Sequence, residues 1–525
     1  MPDNCPFDIR PLAEPLLIKN ENFNNVNYTN QDFWSLKNKL IEFINERFGE
    51  NGNTLPNTFN DLVEGSIAIM LIENWAFIGD TLSFKIDQIV NELFIDTVAE
   101  ADNAFRLCKL VGFEPIPPIP SRALFTATIN TTYETDIILP TPLGIDVVSD
   151  NNLPIRYELF PADSNNNPIF NQDIIISAGT SVNSAIVGLE GITSLDEYTG
   201  NGEVLQSYPT RSDSVIYDSV SVRVDGSEWE RVNYFTDSQP RKEYRVEYDS
   251  AYRAYIMFGN NKVGLSPASG SDIEITYRVG GGTIGNIITG SVNVQRQARV
   301  FGNDFNVPVF ISNYTKGEFG YNGDTVNDIR TKLPLYLRTQ NRAVTGGDYK
   351  NLTDLFVSPY HGQVGKSNAV LRNHGCAGNV VDIYVLAKLN DNGLQEASDE
   401  LKNDLSEMLE EKKMITDFIC LKNGHIIEAD VSVVVELPRT ERKFEQEIKQ
   451  NIELKINDFF RLGNWEYGQT LKESDLIKSL SSIKSAKSFD VIYTTNDEEN
   501  SGSMVTAKYY EIIRPDNIEI SFMYV

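Results

Sequence analysis

Residues 272–285 read Asp272-Ile273-Glu274-Ile275-Thr276-Tyr277-Arg278-Val279-Gly280-Gly281-Gly282-Thr283-Ile284-Gly285. Two folds compete for this stretch. By its glycines it satisfies G-x-G-x-x-G, and Asp304 follows at about the spacing of a ribose-binding acid. By its first half it is a strand, with Ile273, Ile275 and Tyr277 alternating with polar residues. A dinucleotide site requires a helix to open at the last glycines, so that its free amides meet a pyrophosphate. Asn286 to Val294 instead continues as β-type sequence broken by Gly290. The stretch therefore reads as a strand ending in a glycine turn, and the surrounding region as β-rich.

Working outward, period-two patterns run from Arg122 to about Phe310. Ala123–Ile129 and Ser219–Val224 alternate in the same way, Asp225-Gly226 is a hairpin turn signal, and Gly259-Asn260-Asn261 marks another turn. The polar run Asp163–Asn171 reads as an exposed loop. Towards the N-terminus the period changes to that of helices. Thr29 and Asn30 can cap a helix carrying Phe33, Leu36, Leu40, Phe43, Ile44 and Phe48 on one face. Thr58 can cap a second helix with Phe59, Leu62, Val63, Ile67, Met70, Leu71, Trp75 and Ile78, so poor in polar residues that cover on several sides is expected. Asp96–Val111 reads as a third helix, ending at Gly112. The prolines from Pro115 to Pro120 forbid a helix and mark a boundary.

Helices return at Thr325. Thr345 can cap a helix with Asp348, Tyr349, Leu352 and Leu355. Then come strand Asn379–Leu389, helix Glu396–Lys413, strand Ile426–Leu437, helices Phe444–Phe460 and Leu471–Ile483, and strands Ser488–Tyr493 and Ile518–Phe522. The expected fold class is an α+β multidomain chain. It has a helical N-terminal region (residues 1–118), a β-rich middle domain (119–315), a helical connecting region (316–375) and small α+β sandwich domains at the C-terminus (376–525).

The chain has 525 residues, 41% hydrophobic and 23% charged, an ordinary globular composition. Its 46 Lys+Arg against 74 Asp+Glu give a net charge of −28. Such a surface repels nucleic-acid phosphates and anionic lipid headgroups, so neither nucleic acid nor membrane is an expected partner. The apolar run Ile67–Ile78 is interrupted by Glu73 and Asn74, which excludes a membrane-spanning helix on this reading. The N-terminus lacks a basic segment followed by an apolar one, so no signal peptide is expected. Cys5, Cys108, Cys376 and Cys420 are scattered and read as free thiols.

Chemistry-bearing motifs are sparse. His361, His374 and His425 are the only histidines, too few for a multi-histidine metal site. His374 and Cys376 lack a second ligand pair. Gly365-Lys366-Ser367 resembles the end of a phosphate loop, but Tyr360 stands where its first glycine is required. No metal, cofactor or catalytic residue is expected. Trp34, Trp75, Trp229 and Trp465 read as core or interface packing.

Several segments together resemble the baseplate J-like family, the main wedge component of contractile phage baseplates. Tyr277-Arg278-Val279-Gly280-Gly281-Gly282-Thr283-Ile284-Gly285-Asn286 resembles its YRxGGGxxGN segment. Arg342-Ala343-Val344-Thr345-Gly346-Gly347-Asp348-Tyr349 resembles its RAVTxxDY segment. Phe258–Gly264 resembles its FGDGxxG turn, with Asn260 and Asn261 in place of the aspartate and glycine. Phe105–Phe113 and the stretch from Trp465 to Leu476 resemble two further segments, in the family's order. The long helical region and β insertion look more like the larger wedge proteins of T4-like phages than the short form.

The resemblance implies a non-enzymatic assembly protein in a virion tail baseplate, assembled in the host bacterial cytoplasm. It implies a homodimer within each wedge and other wedge proteins joined through a core helical bundle. Six wedges would close a ring around the central hub, which rearranges to trigger sheath contraction. Phe33, Trp34, Leu40, Trp75 and Trp465 are the candidate interface residues. The alternatives are a virion-associated polysaccharide hydrolase, needing two carboxylates about 5–10 Å apart, a receptor-binding tail protein, and the analogous type VI secretion baseplate component.

Overall fold

The computed structural model describes residues 28–29, 31–48, 66–235, 240–302, 305–373, 379–389, 393–483, 486–496 and 500–524. It shows an α+β multidomain chain in two compact units. One is Met1–Pro115 with Asp324–Leu333, the other Ile116–Gly323 with Pro334–Val525.

The first unit is helical. Helix α1 spans Phe33–Phe48, α2 Ile67–Asn91 and α3 Ala101–Val111. The cap of α1 is Asp32, whose carboxylate accepts from the Ser35 amide at 2.7 Å. Thr29 was expected there; it donates instead to Asp87 near the end of α2 at 2.9 Å. Asn30 and the segment from Gly49 to Gly65, including Thr58, Phe59, Leu62 and Val63, lie outside the described residues. The cap of α2 is Ser66, and the helix runs 25 residues, well past Ile78. Helices α1 and α2 lie antiparallel, because Lys37 pairs with Glu73 at 2.7 Å and Leu36 sits against Gly79. Helix α3 starts later than Asp96, since Glu92 takes the amides of Ala99 and Glu100 ahead of it. Gly112 ends it at φ +74°, a left-handed cap.

In the second unit, eight antiparallel strands form one sheet in the order Leu143–Val148, Pro154–Pro161, Val182–Glu190, Arg122–Thr128, Asn306–Asn313, Asn293–Val300, Ile137–Leu139, Ile174–Ile176. Each strand sends alternate residues into one core; Phe125, Tyr157, Leu159, Ile174 and Val309 are fully buried there. Between Glu190 and Asn293 two four-stranded sheets are inserted. They contain Ile192–Thr199 and Asp272–Val279 on one side and Glu243–Tyr248 and Ala254–Phe258 on the other. Asp225 and Gly226 form the expected hairpin, both with positive φ.

Helix α4, Val326–Thr339, tolerates Pro334 within it. Two α+β modules follow. The first carries α5 (Gly346–Asp354), α6 (Asp399–Lys412) and a sheet built on Gly362–Asn373 and Asn379–Lys388, with Asp417–Asn423 added in parallel. Gly362–Asn373, read above within a helical connection, is a 12-residue strand. Helix α6 begins at Asp399, capped by Ser398, because Leu394–Glu396 pairs with the sheet. In the second module α7 (Glu445–Phe459) and α8 (Glu473–Leu480) cover one face of the sheet Ser488–Thr495, His425–Leu437, Glu511–Tyr524. Leu471, expected in a helix, lies in strand Thr470–Lys472 paired to Met504–Thr506. The helix opens only at Glu473, where acidic residues suit its N-terminus.

Candidate functional site

The glycine-rich turn lies at the end of strand Asp272–Val279. Gly280, Gly281 and Gly282 have φ of +137°, +87° and +108°, a region closed to most side chains. Neighbours also press on them. A Cβ on Gly281 would lie 2.9 Å from the Cβ of Pro118, and one on Gly282 2.4 Å from Oδ1 of Asn322. At Gly285 it would meet Glu190 and Ser121 at 2.8 and 2.9 Å. The backbone amides are spent internally. Gly280 donates to the Ser214 carbonyl, Gly282 to that of Ile119 and Gly285 to that of Gly282. Gly281 donates to the Glu190 carboxylate at 2.6 Å and Thr283 to Asn322 at 3.0 Å. With only a one-turn 3-10 helix, Thr283–Gly285, after the glycines, this turn has no cradle for a phosphate.

The other residues of the segment clamp the same knot. Arg278 is buried, with Nε 3.3 Å from Glu158 and Nη2 donating to the carbonyls of Leu189 and Glu190. Burial pulls its guanidinium down, and Glu158 acts against that. Burial pushes the Glu190 carboxyl up, opposed by the Gly281 amide and Arg278. Tyr277 donates to Asp196 at 2.9 Å, and Tyr157 to the Gly285 carbonyl at 2.7 Å. The Asn286 carbonyl accepts from Asp150. The knot thus ties the inserted sheets to the eight-stranded body.

The Arg342–Tyr349 segment is a helix start. Thr345 caps α5 through the Asp348 amide, and Asp348 returns a bond to the Thr345 amide, a capping box. Arg342 donates to Gln340 rather than to Asp348. Tyr349 is buried and donates to Asp417 at 2.9 Å; burial first, and then that bond, push its hydroxyl upward.

Three features could have hidden chemistry. Ser358, His361 and Asp404 do converge, with Asp404 Oδ2 2.7 Å from His361 Nδ1 and 2.5 Å from Ser358 Oγ. The serine hydroxyl is bound to the carboxylate, so no base is aimed at it and the order required of a nucleophilic triad is absent from this trio. Gly365-Lys366-Ser367 lies in an extended strand, where Lys366 binds Glu466 and Ser367 binds Asp354, each at 2.7 Å. His374 and Cys376 fall outside the described residues, among which no group of His, Cys, Asp or Glu is placed to hold a metal.

The candidate interface residues separate. Trp34 and Trp75 are 64% and 68% exposed, while Phe33 and Leu40 are half-buried. Trp465, by contrast, packs inside its own module. It is 6% exposed, stacked on Phe460 at 5.5 Å, and its Nε1 donates to the Phe459 carbonyl. Helix α2 is the feature that sequence reading left half-seen. Along it Ile67, Met70, Phe77, Leu82, Phe84 and Ile89 are also exposed, and only Ile69, Ile72, Ala76 and Asn91 are buried. The expected cover on several sides is therefore not supplied by the described residues of its own unit. The exclusion of a membrane-spanning segment also needs correction. By length and composition alone α2 is apolar enough to cross a membrane, the one such helix among the described residues. Reading only to Ile78 missed the apolar second half.

Residues 32–110, which carry this helical face, match the family model described as bacteriophage baseplate protein, N-terminal domain. That match supports a structural role in a baseplate. No curated protein matches the chain. Among solved structures, a chain of the anti-feeding prophage baseplate, a six-fold symmetrised cryo-EM structure, is similar at 11% identity and a TM-score of 0.40. The likeness covers 93% of this chain and 99% of that one. A chain of the type VI secretion TssK-TssF-TssG baseplate subcomplex is similar at 10% identity and a TM-score of 0.26, over 67% of this chain and 96% of that one. Likenesses this distant speak for neither a partner nor an activity.

Proposed function

We propose that the chain is a structural wedge subunit of a contractile-tail baseplate, of the baseplate J-like kind, located in the virion tail and assembled in the host bacterial cytoplasm. In this reading two copies associate in each wedge, α1 and α2 join other wedge proteins in a helical bundle, and six wedges form a ring around the hub. The ring's rearrangement triggers sheath contraction. One observation carries the reading: the stretch that matches a baseplate N-terminal domain is the one whose long helix exposes an apolar face. Glu73, Asp80, Lys85 and Asp87 also lie on α2. They favour a protein cover over lipid, because charges within the hydrocarbon region are costly.

The test replaces Trp34 and Trp75 with Ser in the full chain, co-expressed with the neighbouring tail proteins. Burying a large apolar side chain is worth about 1.5–3 kcal/mol. Losing two therefore weakens association by roughly 100- to 10,000-fold. Light scattering after size exclusion should show the wild-type complex and its loss in the double variant. An intact complex of the double variant would refute the assigned interface.

A further inference from the structure

We propose that Glu466 is the bolt of a clasp between the two C-terminal modules, and that Gly424 is the hinge it holds shut. Strand Asp417–Asn423 belongs to the first module and strand His425–Leu437 to the second, so Gly424 alone joins them. Two modules joined through one glycine can swing unless other contacts set their angle.

Asn368 donates to the Tyr509 carbonyl at 2.7 Å and Tyr384 packs against Tyr509 and Tyr510, but the ion-paired contact between the modules comes from the turn after α7. Glu466 reaches into the first module and takes one lysine on each carboxylate oxygen. Lys350 of α5 lies 2.6 Å from Oε2, and Lys366 of strand Gly362–Asn373 lies 2.7 Å from Oε1. All three side chains are 20% exposed or less. Asp354, 4.0 Å from Lys350 and bonded to Ser367, balances the second cation. A carboxylate held between two lysines from separate elements is satisfied in only one relative placement of the modules. Losing that placement would strand charges in a poorly solvated site, which buried pairs resist strongly.

The next residue seals the hinge itself. The Tyr467 hydroxyl stands where a Cβ of Gly424 would be, 2.1 Å from its ideal position. That hydroxyl is buried and has no hydrogen-bond partner among the described residues. The ring is thus held against the bare backbone by closure rather than by a bond of its own. The Gly424 amide donates to Val385 of the first module, and the His425 amide to Tyr510 of the second. Neither bond crosses the pivot, but each is the last of its own module's ladder beside it, so loosening at the pivot frays these two amides first.

Hydrogen exchange on the full chain tests this, comparing wild type with Glu466→Gln and Glu466→Lys. The first keeps the shape and removes the charge; the second sets a cation against two lysines. The expected result is at least tenfold faster exchange at Gly424 and His425 in Glu466→Gln, and faster still in Glu466→Lys. The core amides of Val381, Ile383, Val431 and Val433 keep their wild-type rates. If Glu466→Lys does not fold, the isosteric variant decides alone. A change below tenfold at the hinge, or an equal rise in the module cores, would overturn the clasp.

Discussion

A methyl group at position 281 tests the reading of the glycine-rich turn. In Gly281→Ala the new Cβ falls 2.9 Å from the Cβ of Pro118 and 3.2 Å from the backbone of Ile119. Neither neighbour can turn aside, since one is a proline ring and the other main chain. The residue must also hold φ +87°, which costs an L side chain roughly 1–2 kcal/mol. Overpacking adds about 1–3 kcal/mol, for a total of roughly 2–5 kcal/mol. Gly290 is the internal control. Its φ is +72°, yet a Cβ there meets nothing within 4 Å, so Gly290→Ala carries the backbone cost alone. Thermal unfolding followed by circular dichroism and calorimetry should show a clearly larger fall in midpoint for Gly281→Ala, at about 2–4 °C per kcal/mol for a body of this size. Both proteins should keep their secondary structure at 25 °C. If the two variants are equally stable, the close approach to Pro118 and Ile119 plays no part and the knot described here is wrong.

Two further predictions concern the C-terminal module. Trp465→Ala should destabilise it by about 3–5 kcal/mol, the range for deleting a buried aromatic side chain, whereas Trp465→Phe loses chiefly the bond to the Phe459 carbonyl, about 1 kcal/mol; denaturant melts that rank them the other way would restore Trp465 as an interface residue. For acid stability, burial pushes the Glu466 carboxyl up, but Lys366 and Lys350 more than offset it and hold it below its ordinary value. A lowered folded value means the contribution is complete above the unfolded pKa of about 4.3 and is lost as pH falls through the folded one. The gap in melting temperature between wild type and Glu466→Gln should be constant above about pH 5 and shrink below about pH 4. Asp354, pushed up by burial, titrates in the opposite sense but is present in both proteins. A gap that widens on acidification would contradict the assignment.

What the sequence alone determined was the class of most regions, though not of Gly362–Asn373, a strand inside the stretch read as helical. Its periodicities are local: Ile273, Ile275 and Tyr277 alternate wherever that strand is placed, and Thr345 caps a helix using an amide three residues away. Local signals also rejected a nucleotide site at the glycines, because no helix could open there. Tertiary structure decided everything that depends on partners distant in the chain. Trp465 and Trp75 look alike in sequence, but only the first lands between Phe459 and Phe460 while the second faces outward. Lys366 sits in a run resembling a phosphate loop, and its meaning came from Glu466, one hundred residues on. The three glycines announced a turn, yet not that Pro118, Glu190 and Asn322 would close around it. Such contacts join segments from separate sheets, and the folded chain sets them through the long-range register of those sheets, which no short window of sequence contains.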